Sequence, residues 1–168
     1  DIIAGQGTTG LEIAYQLEAL NLIPDQAIGP IGGGGLMSGS AIALRHHFSD
    51  ISLWGAEPQG YDDAARSIIA GTIIGNDHSP ASICDAIVTR KVGALTFPIL
   101  HKYLAGAKTV NDQHVLAAMA TCMQQLKLVV EPGGCVGLAA ILNHSLAVAD
   151  KTTVVILSGG NVDPAMLD

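Results

Sequence analysis

Four consecutive glycines, Gly32 to Gly35, stand between a predicted strand and a predicted helix. A turn without Cβ atoms lets successive backbone N–H groups converge on one point at the positive end of the helix dipole, and a phosphate suits such a point. Because no GK[ST] sequence follows, a nucleoside triphosphate is disfavoured and the pattern indicates a single phosphate monoester. A flexible glycine hinge is the alternative interpretation.

An earlier glycine cluster, at Gly5, Gly7 and Gly10, has the GxGxxG spacing of a dinucleotide-binding turn. That fingerprint needs an acidic residue at the end of the second strand to hold a ribose hydroxyl. Here the second predicted strand runs into Ile31 and the four glycines. We therefore disfavour dinucleotide binding and expect these glycines to permit a tight strand-to-helix turn.

A third cluster, Ser158-Gly159-Gly160-Asn161, follows the last predicted strand. Ligands of open parallel sheets bind beyond the carboxyl ends of the strands, so we expect this turn and the four-glycine turn to open at one edge. A hydroxyl there could offer one hydrogen bond to a ring nitrogen of a flat cofactor. On local grounds an ordinary turn is equally consistent.

Carboxylates gather where another predicted strand meets its helix, at Glu57, Asp62 and Asp63. Their oxygens could share one hard cation such as magnesium or calcium. Asp62 and Asp63 could equally stabilise the N-terminus of the helix through its dipole, with no metal present. Both interpretations stay open on the residues alone.

The elements that must position these residues alternate between apolar runs and helical patterns. Predicted strands cover residues 2–4, 27–31, 51–56, 107–110 and 153–157. Predicted helices cover about 11–20, 38–47, 62–70 and 135–146. Another helix follows an N-cap at Asn111, with an apolar face at Val115, Met119, Cys122, Met123 and Leu126. Gly71 is expected as a C-cap and residues 72–98 as mostly loop, and the three opening βα steps indicate an α/β fold with a mostly parallel sheet.

The composition narrows the class of protein. Of 168 residues, 49% are hydrophobic and 14% charged, which is typical of one layered α/β domain with buried strands. A net charge of -7 leaves no basic surface for nucleic acid. No apolar run is long enough to span a bilayer, and no signal peptide is evident. Three cysteines without a CxxC pair argue against a disulfide framework or a zinc site and favour a reducing cytoplasm.

Seven segments, in order, carry a further pattern: IIAGQGTTGLEI (2–13), GGGGL (32–36), GAEPQGYDDAARS (55–67), ICDA (83–86), LTFPIL (95–100), LKLVVEPGG (126–134) and VILSGGNVD (155–163). Together they resemble the serine/threonine dehydratase and serine racemase family of pyridoxal-phosphate enzymes. The resemblance implies a three-layer α/β fold of the tryptophan synthase β-subunit type, known as fold type II. It covers nearly the whole chain.

The resemblance also implies roles for individual residues. The implied pyridoxal-phosphate-binding residues are Gly32, Gly33, Gly34, Gly35, the amide of Leu36, Ala86, Ser158 and Gly159. Among them the serine hydroxyl would meet the pyridine nitrogen, and Ala86 stands where many relatives have a glycine close to the cofactor. The implied ligands of a divalent cation, magnesium or calcium, are Glu57, the carbonyl of Tyr61, and Asp63.

The implied reaction is β-elimination, which converts L-threonine or L-serine to a 2-oxo acid and ammonia. The family's Schiff-base lysine lies in an SxKxRGA-like motif upstream of the GQGT segment, and no lysine of this chain has that context. We therefore expect a single domain over residues 1–168 that is most of the large cofactor lobe of a longer enzyme. The lysine-bearing N-terminal segment and most of the small lobe would be absent, and the isolated chain would be inactive. Expected partners are that segment, an amino-acid substrate and a second copy in a homodimer.

Two other classes of function remain as alternatives, besides serine racemase or hydroxyaspartate ammonia-lyase activity within the same family. One is a non-catalytic phosphate- or cation-binding module that has kept the glycine loop. The other is the disfavoured dinucleotide-binding domain.

Overall fold

The structure, a computed structural model, describes residues 1–77 and 80–163. Its parallel strands form one sheet in the order β3-β2-β1-β4. The strands are β1 (Gln26–Pro30), β2 (Ser52–Pro58), β3 (Leu104–Val110) and β4 (Thr153–Val155). The helices are α1 (Ile2–Ala19), α2 (Gly35–His47), α3 (Asp63–Ala70), α4 (Phe97–Tyr103), α5 (Asp112–Thr121) and α6 (Pro132–Leu142). Two short turns accompany them, a 3-10 turn at Asp85–Ile87 and a π-helical turn at Cys122–Leu126.

The sheet is the middle of three layers, and its side chains alternate between two cores. In β1, Ala27 faces the core built with α2 and α4, whereas Ile28 faces the core built with α5 and α6. β2 follows the same rule with Leu53 and Ala56. All three cysteines are free and lie in the core on the α5 and α6 side. The predicted three-layer α/β fold with a parallel sheet is therefore confirmed.

The predicted strand at residues 2–4 is wrong, because helix α1 begins at Ile2 and runs through the whole GxGxxG segment. The glycines serve a close helix crossing. A Cβ on Gly10 would come within 2.7 Å of the carbonyl oxygen of Ser40, and one on Gly39 would come within 2.5 Å of the amide nitrogen of Gly7. Small residues let α1 and α2 approach backbone to backbone. The segment is consequently helical where a dinucleotide fingerprint requires a strand-to-helix turn.

Two further differences concern helices. Helix α4 occupies part of the segment predicted as loop, with Pro98 in its first turn, where the missing N–H costs nothing. Helix α5 passes into the π-helical turn, which changes the rotation per residue. Val115 and Cys122 are buried as predicted, but Met123 and Leu126 are 40% and 52% exposed, so the predicted apolar face ends at the turn.

The remaining elements agree with the sequence patterns within a few residues. Gly71 ends α3 in the left-handed conformation at φ 69°, and the Asn111 side chain accepts a hydrogen bond from the amide of His114, so both predicted caps are confirmed. Helix α6 begins at Pro132 and ends four residues before the predicted end. Among the described residues, no helix is both long and apolar enough to cross a lipid bilayer.

Candidate functional site

The glycine loop, residues 32–35, joins the end of β1 to the start of α2. Gly34 is the N-cap and has φ 87°, which only glycine adopts without strain. The carbonyl of Gly33 accepts hydrogen bonds from the Thr96 hydroxyl at 2.6 Å and from the Gly93 amide at 3.2 Å. These contacts fix the glycine loop to the segment that precedes α4.

The amides of this loop are available to a ligand. Among the hydrogen bonds of the described residues, none engages the N–H groups of Gly34, Gly35 or Leu36. A cavity of about 600 Å³ opens beside Gly33 and Gly35, and a Cβ on Gly33 would have no neighbour within 4 Å. Unpaired amides at a helix N-terminus beside open space form a cradle for an anion. The residues present therefore fit a phosphate group.

The loop at residues 158–161 leaves the sheet next to the glycine loop, because β4 pairs with β1 in parallel. The main chain continues this pairing where the amide of Ile156 donates to the carbonyl of Ile28 at 2.9 Å. Both loops leave the carboxyl ends of neighbouring strands, so the predicted common edge is confirmed.

The first turn of α6 packs between the two loops. Gly133 lies against Ile87, whose backbone and side chain also cover Gly32. Gly134 lies so close to the carbonyl of Ser158 that a Cβ there would overlap it. Ala86 contacts the same turn, with its Cβ 3.6 Å from where a Cβ of Gly133 would stand. The structure thus brings Ala86, Ser158 and the glycine loop into one region.

Glu131 braces the loop at residues 158–161. Its carboxylate accepts a hydrogen bond from the amide of Asn161 at 3.1 Å, and its own amide donates to the carbonyl of Gly159 at 3.2 Å. A Cβ on Gly159, which has φ 74°, would overlap the Glu131 carboxyl group. Glu131 lies in the family segment at residues 126–134, and the sequence alone predicts no role for it.

Replacement of Glu131 by alanine is expected to loosen this loop. It removes the acceptor of the Asn161 amide, a hydrogen bond worth on the order of 1 kcal/mol, so amide exchange at Asn161 should rise about fivefold. The Glu131→Gln variant keeps an acceptor oxygen and should change exchange less. Hydrogen exchange followed by mass spectrometry measures both variants, and equal rates in wild type and Glu131→Ala would show that the brace is unimportant.

The predicted cation ligands lie at the end of β2 and the start of α3. Glu57 is 1% exposed, and its two carboxylate oxygens accept the amides of Ala64 at 3.0 Å and Ala65 at 2.8 Å. The pKa of Glu57 is raised to about 8, mainly by burial and to a smaller extent by the nearby Asp63 and Asp62, against the lowering effect of these two hydrogen bonds.

Asp63 is also buried, at 1% exposure, and burial raises its pKa. Its Oδ1 atom accepts a hydrogen bond from Asn76, whereas Oδ2 has no partner among the described residues. The main-chain carbonyl of Tyr61 likewise accepts no hydrogen bond from them, while its hydroxyl donates to the Pro80 carbonyl at 2.9 Å. The unpaired Asp63 Oδ2 and Tyr61 carbonyl oxygen, together with the buried Glu57 carboxyl group, provide the oxygen ligands that a hard cation prefers.

Side chains alone do not complete this site. Within residues 1–77 and 80–163, no three His, Cys, Asp or Glu side chains converge as a metal would require. The predicted cation ligands agree with this absence, because only Glu57 and Asp63 contribute side chains and the third ligand is the main-chain carbonyl of Tyr61. The fit rests on the unpaired Oδ2 of Asp63.

The model of the family described as pyridoxal-phosphate dependent enzyme matches residues 1–159. The chain is 39% identical to an L-threo-3-hydroxyaspartate ammonia-lyase from Pseudomonas sp over 97% of its length and 50% of that protein. It is 39% identical to a serine racemase from Dictyostelium discoideum over 96% of its length and 49% of that protein. The chain therefore spans about half the length of these curated relatives.

A solved structure shows the same likeness. The threonine deaminase of T.th. superposes with a TM-score of 0.90 and 40% sequence identity, over 96% of this chain and 52% of that one. The fold of nearly the whole chain is thus shared with a protein of known structure.

Proposed function

The chain belongs to the family of pyridoxal-phosphate dependent enzymes, and we propose that it supplies the phosphate and ring subsites of an amino-acid ammonia-lyase. The proposed reaction is β-elimination of L-threonine or L-serine to a 2-oxo acid and ammonia. One observation carries the proposal: a glycine loop with unpaired amides lies beside the Ser158 loop at one edge of the sheet. The likeness to threonine deaminase supports the choice of substrate.

In this proposal the chain binds and orients the cofactor. The amides of Gly34, Gly35 and Leu36 hold the phosphate, with the positive end of the α2 dipole behind them. The Ser158 hydroxyl, with Gly159 beside it, would meet the ring nitrogen, and a neutral hydroxyl would not keep that atom fully protonated. Pyridoxal phosphate, when bound, withdraws electrons from the substrate carbon that loses its proton. The methyl of Ala86 limits the width of the site.

The proposed cation, magnesium or calcium, has a structural role. Its ligands are Glu57, the carbonyl of Tyr61, and Asp63. Their position at the start of α3 suits a cation that neutralises two buried carboxylates and fixes the chain between β2 and α3.

The proposed partners follow from the incomplete coverage of the relatives. About half of each relative lies outside the likeness, and we assign to that half the lysine that acts as base. Ile2 and Leu95 are 75% and 81% exposed beside the glycine loop, which favours their coverage by further protein. The proposed assembly is a homodimer in the cytoplasm, where the three buried thiols stay reduced.

A fusion tests this proposal. The chain would be joined to the part of the T.th. threonine deaminase that it does not cover, with the isolated chain as control. We expect the folded fusion to hold pyridoxal phosphate with an absorption band that resists dialysis, and to convert threonine to 2-oxobutanoate. The isolated chain should do neither.

Other outcomes of the same assay would contradict parts of the proposal. Oxaloacetate formed from 3-hydroxyaspartate, or D-serine formed from L-serine, in the absence of threonine turnover would replace the substrate assignment. A folded fusion that binds the cofactor and converts none of these amino acids would favour a non-catalytic binding module.

A further inference from the structure

Asn76 is a buried polar residue in the segment between α3 and the 3-10 turn, and it is 6% exposed. Its side-chain amide donates to Asp63 Oδ1 at 2.8 Å and to the Thr89 carbonyl at 3.0 Å. Its Oδ1 atom accepts from the Arg66 guanidinium at 2.5 Å, and its backbone amide donates to the Arg90 carbonyl at 2.8 Å. Both side-chain donors and the acceptor are therefore used, which fixes the orientation of the amide group.

This arrangement separates two charges. Asn76 lies between Asp63 and Arg66, donating to the carboxylate and accepting from the guanidinium. The guanidinium is held elsewhere by the Asp62 carboxylate at 3.1 Å and the Gly75 carbonyl at 3.2 Å. Within the part of the chain that the structure describes, Asp63 consequently makes no ion pair with Arg66, and its Oδ2 atom stays unpaired and buried.

An unpaired buried carboxylate oxygen is costly unless something satisfies it. Glu57 shows the contrast, because both of its oxygens accept backbone amides. In Asp63 one oxygen is fixed and the other is free. A rigid carboxylate with one free oxygen is a better cation ligand than a mobile one, since less freedom is lost on binding.

We propose that Asn76 is a positioning residue of the cation site: it orients Asp63 for the cation and keeps Arg66 from pairing with that carboxylate. This inference rests on the proposed cation site and assigns a residue that the site itself does not contain. Loss of such an outer partner weakens metal binding by about tenfold to a hundredfold. The Asn76→Ala variant should accordingly bind Ca²⁺ at least tenfold more weakly than the wild type.

Ser67 provides a matched control. It is fully buried on α3, and its hydroxyl accepts the amide of Ile74 at 2.9 Å and donates to the Ile74 carbonyl at 3.4 Å. Ser67→Ala therefore loosens the same segment from the same helix while leaving the hydrogen bond between Asn76 and Asp63 in place. Both variants should lower the melting temperature, but Ser67→Ala should leave the Ca²⁺ affinity within about twofold of wild type.

The test measures Ca²⁺ binding by calorimetry and by displacement of Tb³⁺ luminescence, with folding checked by circular dichroism. Asp63→Asn reports on the site itself. If the wild type binds no Ca²⁺, or binds as Asp63→Asn does, the proposed cation site is wrong. If only Asp63→Asn weakens binding, or if Asn76→Ala and Ser67→Ala weaken it equally, the positioning role is overturned. Asn76→Ser, which keeps a small polar group, replaces Asn76→Ala should the latter fail to fold.

Discussion

Replacement of Gly39 by alanine is expected to lower the free energy of unfolding by about 3 kcal/mol. The added Cβ would overlap the carbonyl oxygen of Ile3 and stand 2.5 Å from the amide nitrogen of Gly7. These neighbours are backbone atoms of α1, so no side-chain rotation relieves the clash. Helix α1 would have to move away from α2, the element on which it packs.

Gly5 offers the matched control in the same pair of helices. It lies within α1, and a Cβ there would meet nothing within 4 Å. Alanine favours a helix over glycine by about 0.5–1 kcal/mol, so Gly5→Ala should stabilise the chain by that amount. Urea unfolding of both variants measures the opposite signs. A tolerated Gly39→Ala, or a Gly5→Ala that destabilises, would contradict the close crossing of α1 and α2.

The opposite effects expected at these glycines explain why the GxGxxG spacing at residues 5–10 predicted a strand-to-helix turn where the structure has a helix. Absence of a Cβ suits a strand-to-helix turn and a helix crossing alike, and local spacing does not separate the two. The apolar residues at 2–4 added to the error, since a short apolar run fits a buried strand or a buried helical turn. Only the position of α2, set by the sheet, decides between them.

Structural features that depend only on a few neighbouring residues were predictable from the sequence. Apolar runs followed by turns located β1 and β2, and the capping roles of Gly71 and Asn111 followed from chemistry confined to a few residues. The position of the glycine loop between β1 and α2 was predictable for the same reason, and its binding of a phosphate stays a prediction. The matching order of the segments then identified the family.

Contacts between distant segments were not predictable. Thr96 donates to the carbonyl of Gly33 from 63 residues away, and Asn76 donates to Asp63 from 13 residues away, beyond the C-terminal end of α3. Thr96 stands in the family segment at residues 95–100 but was assigned no role there, and Asn76 stands in none of the family segments. The role of each residue depends on where the sheet places the two segments that it joins. Glu131 is intermediate: its segment matched the family pattern, but its contact with the 158–161 loop required the structure.

Replacement of Gly34 by alanine should have the largest effect on cofactor binding. Its φ of 87° costs an alanine about 1–2 kcal/mol, and the added Cβ would come within 2.8 Å of Leu100 Cδ1 and 2.9 Å of Thr96 Oγ1. The loop must shift, and its amides move from their common point. A hydrogen bond to a charged group is worth about 1.5–3 kcal/mol, so misplacing two amides should weaken phosphate binding about a hundredfold.

Separate titrations of the Gly34→Ala variant with inorganic phosphate and with pyridoxal phosphate show which part of the cofactor loses its contacts. Both affinities should fall by the same factor, because the substitution acts on the phosphate subsite that the two ligands share. Gly137→Ala is the control: a Cβ there makes an ordinary contact, 3.6 Å from the Ile28 carbonyl oxygen, and should leave both affinities unchanged. If Gly34→Ala folds and still binds both ligands as the wild type does, the glycine loop is not the phosphate site. If it loses pyridoxal phosphate alone, the loop acts on the ring, and the assignment of its amides to the phosphate is wrong.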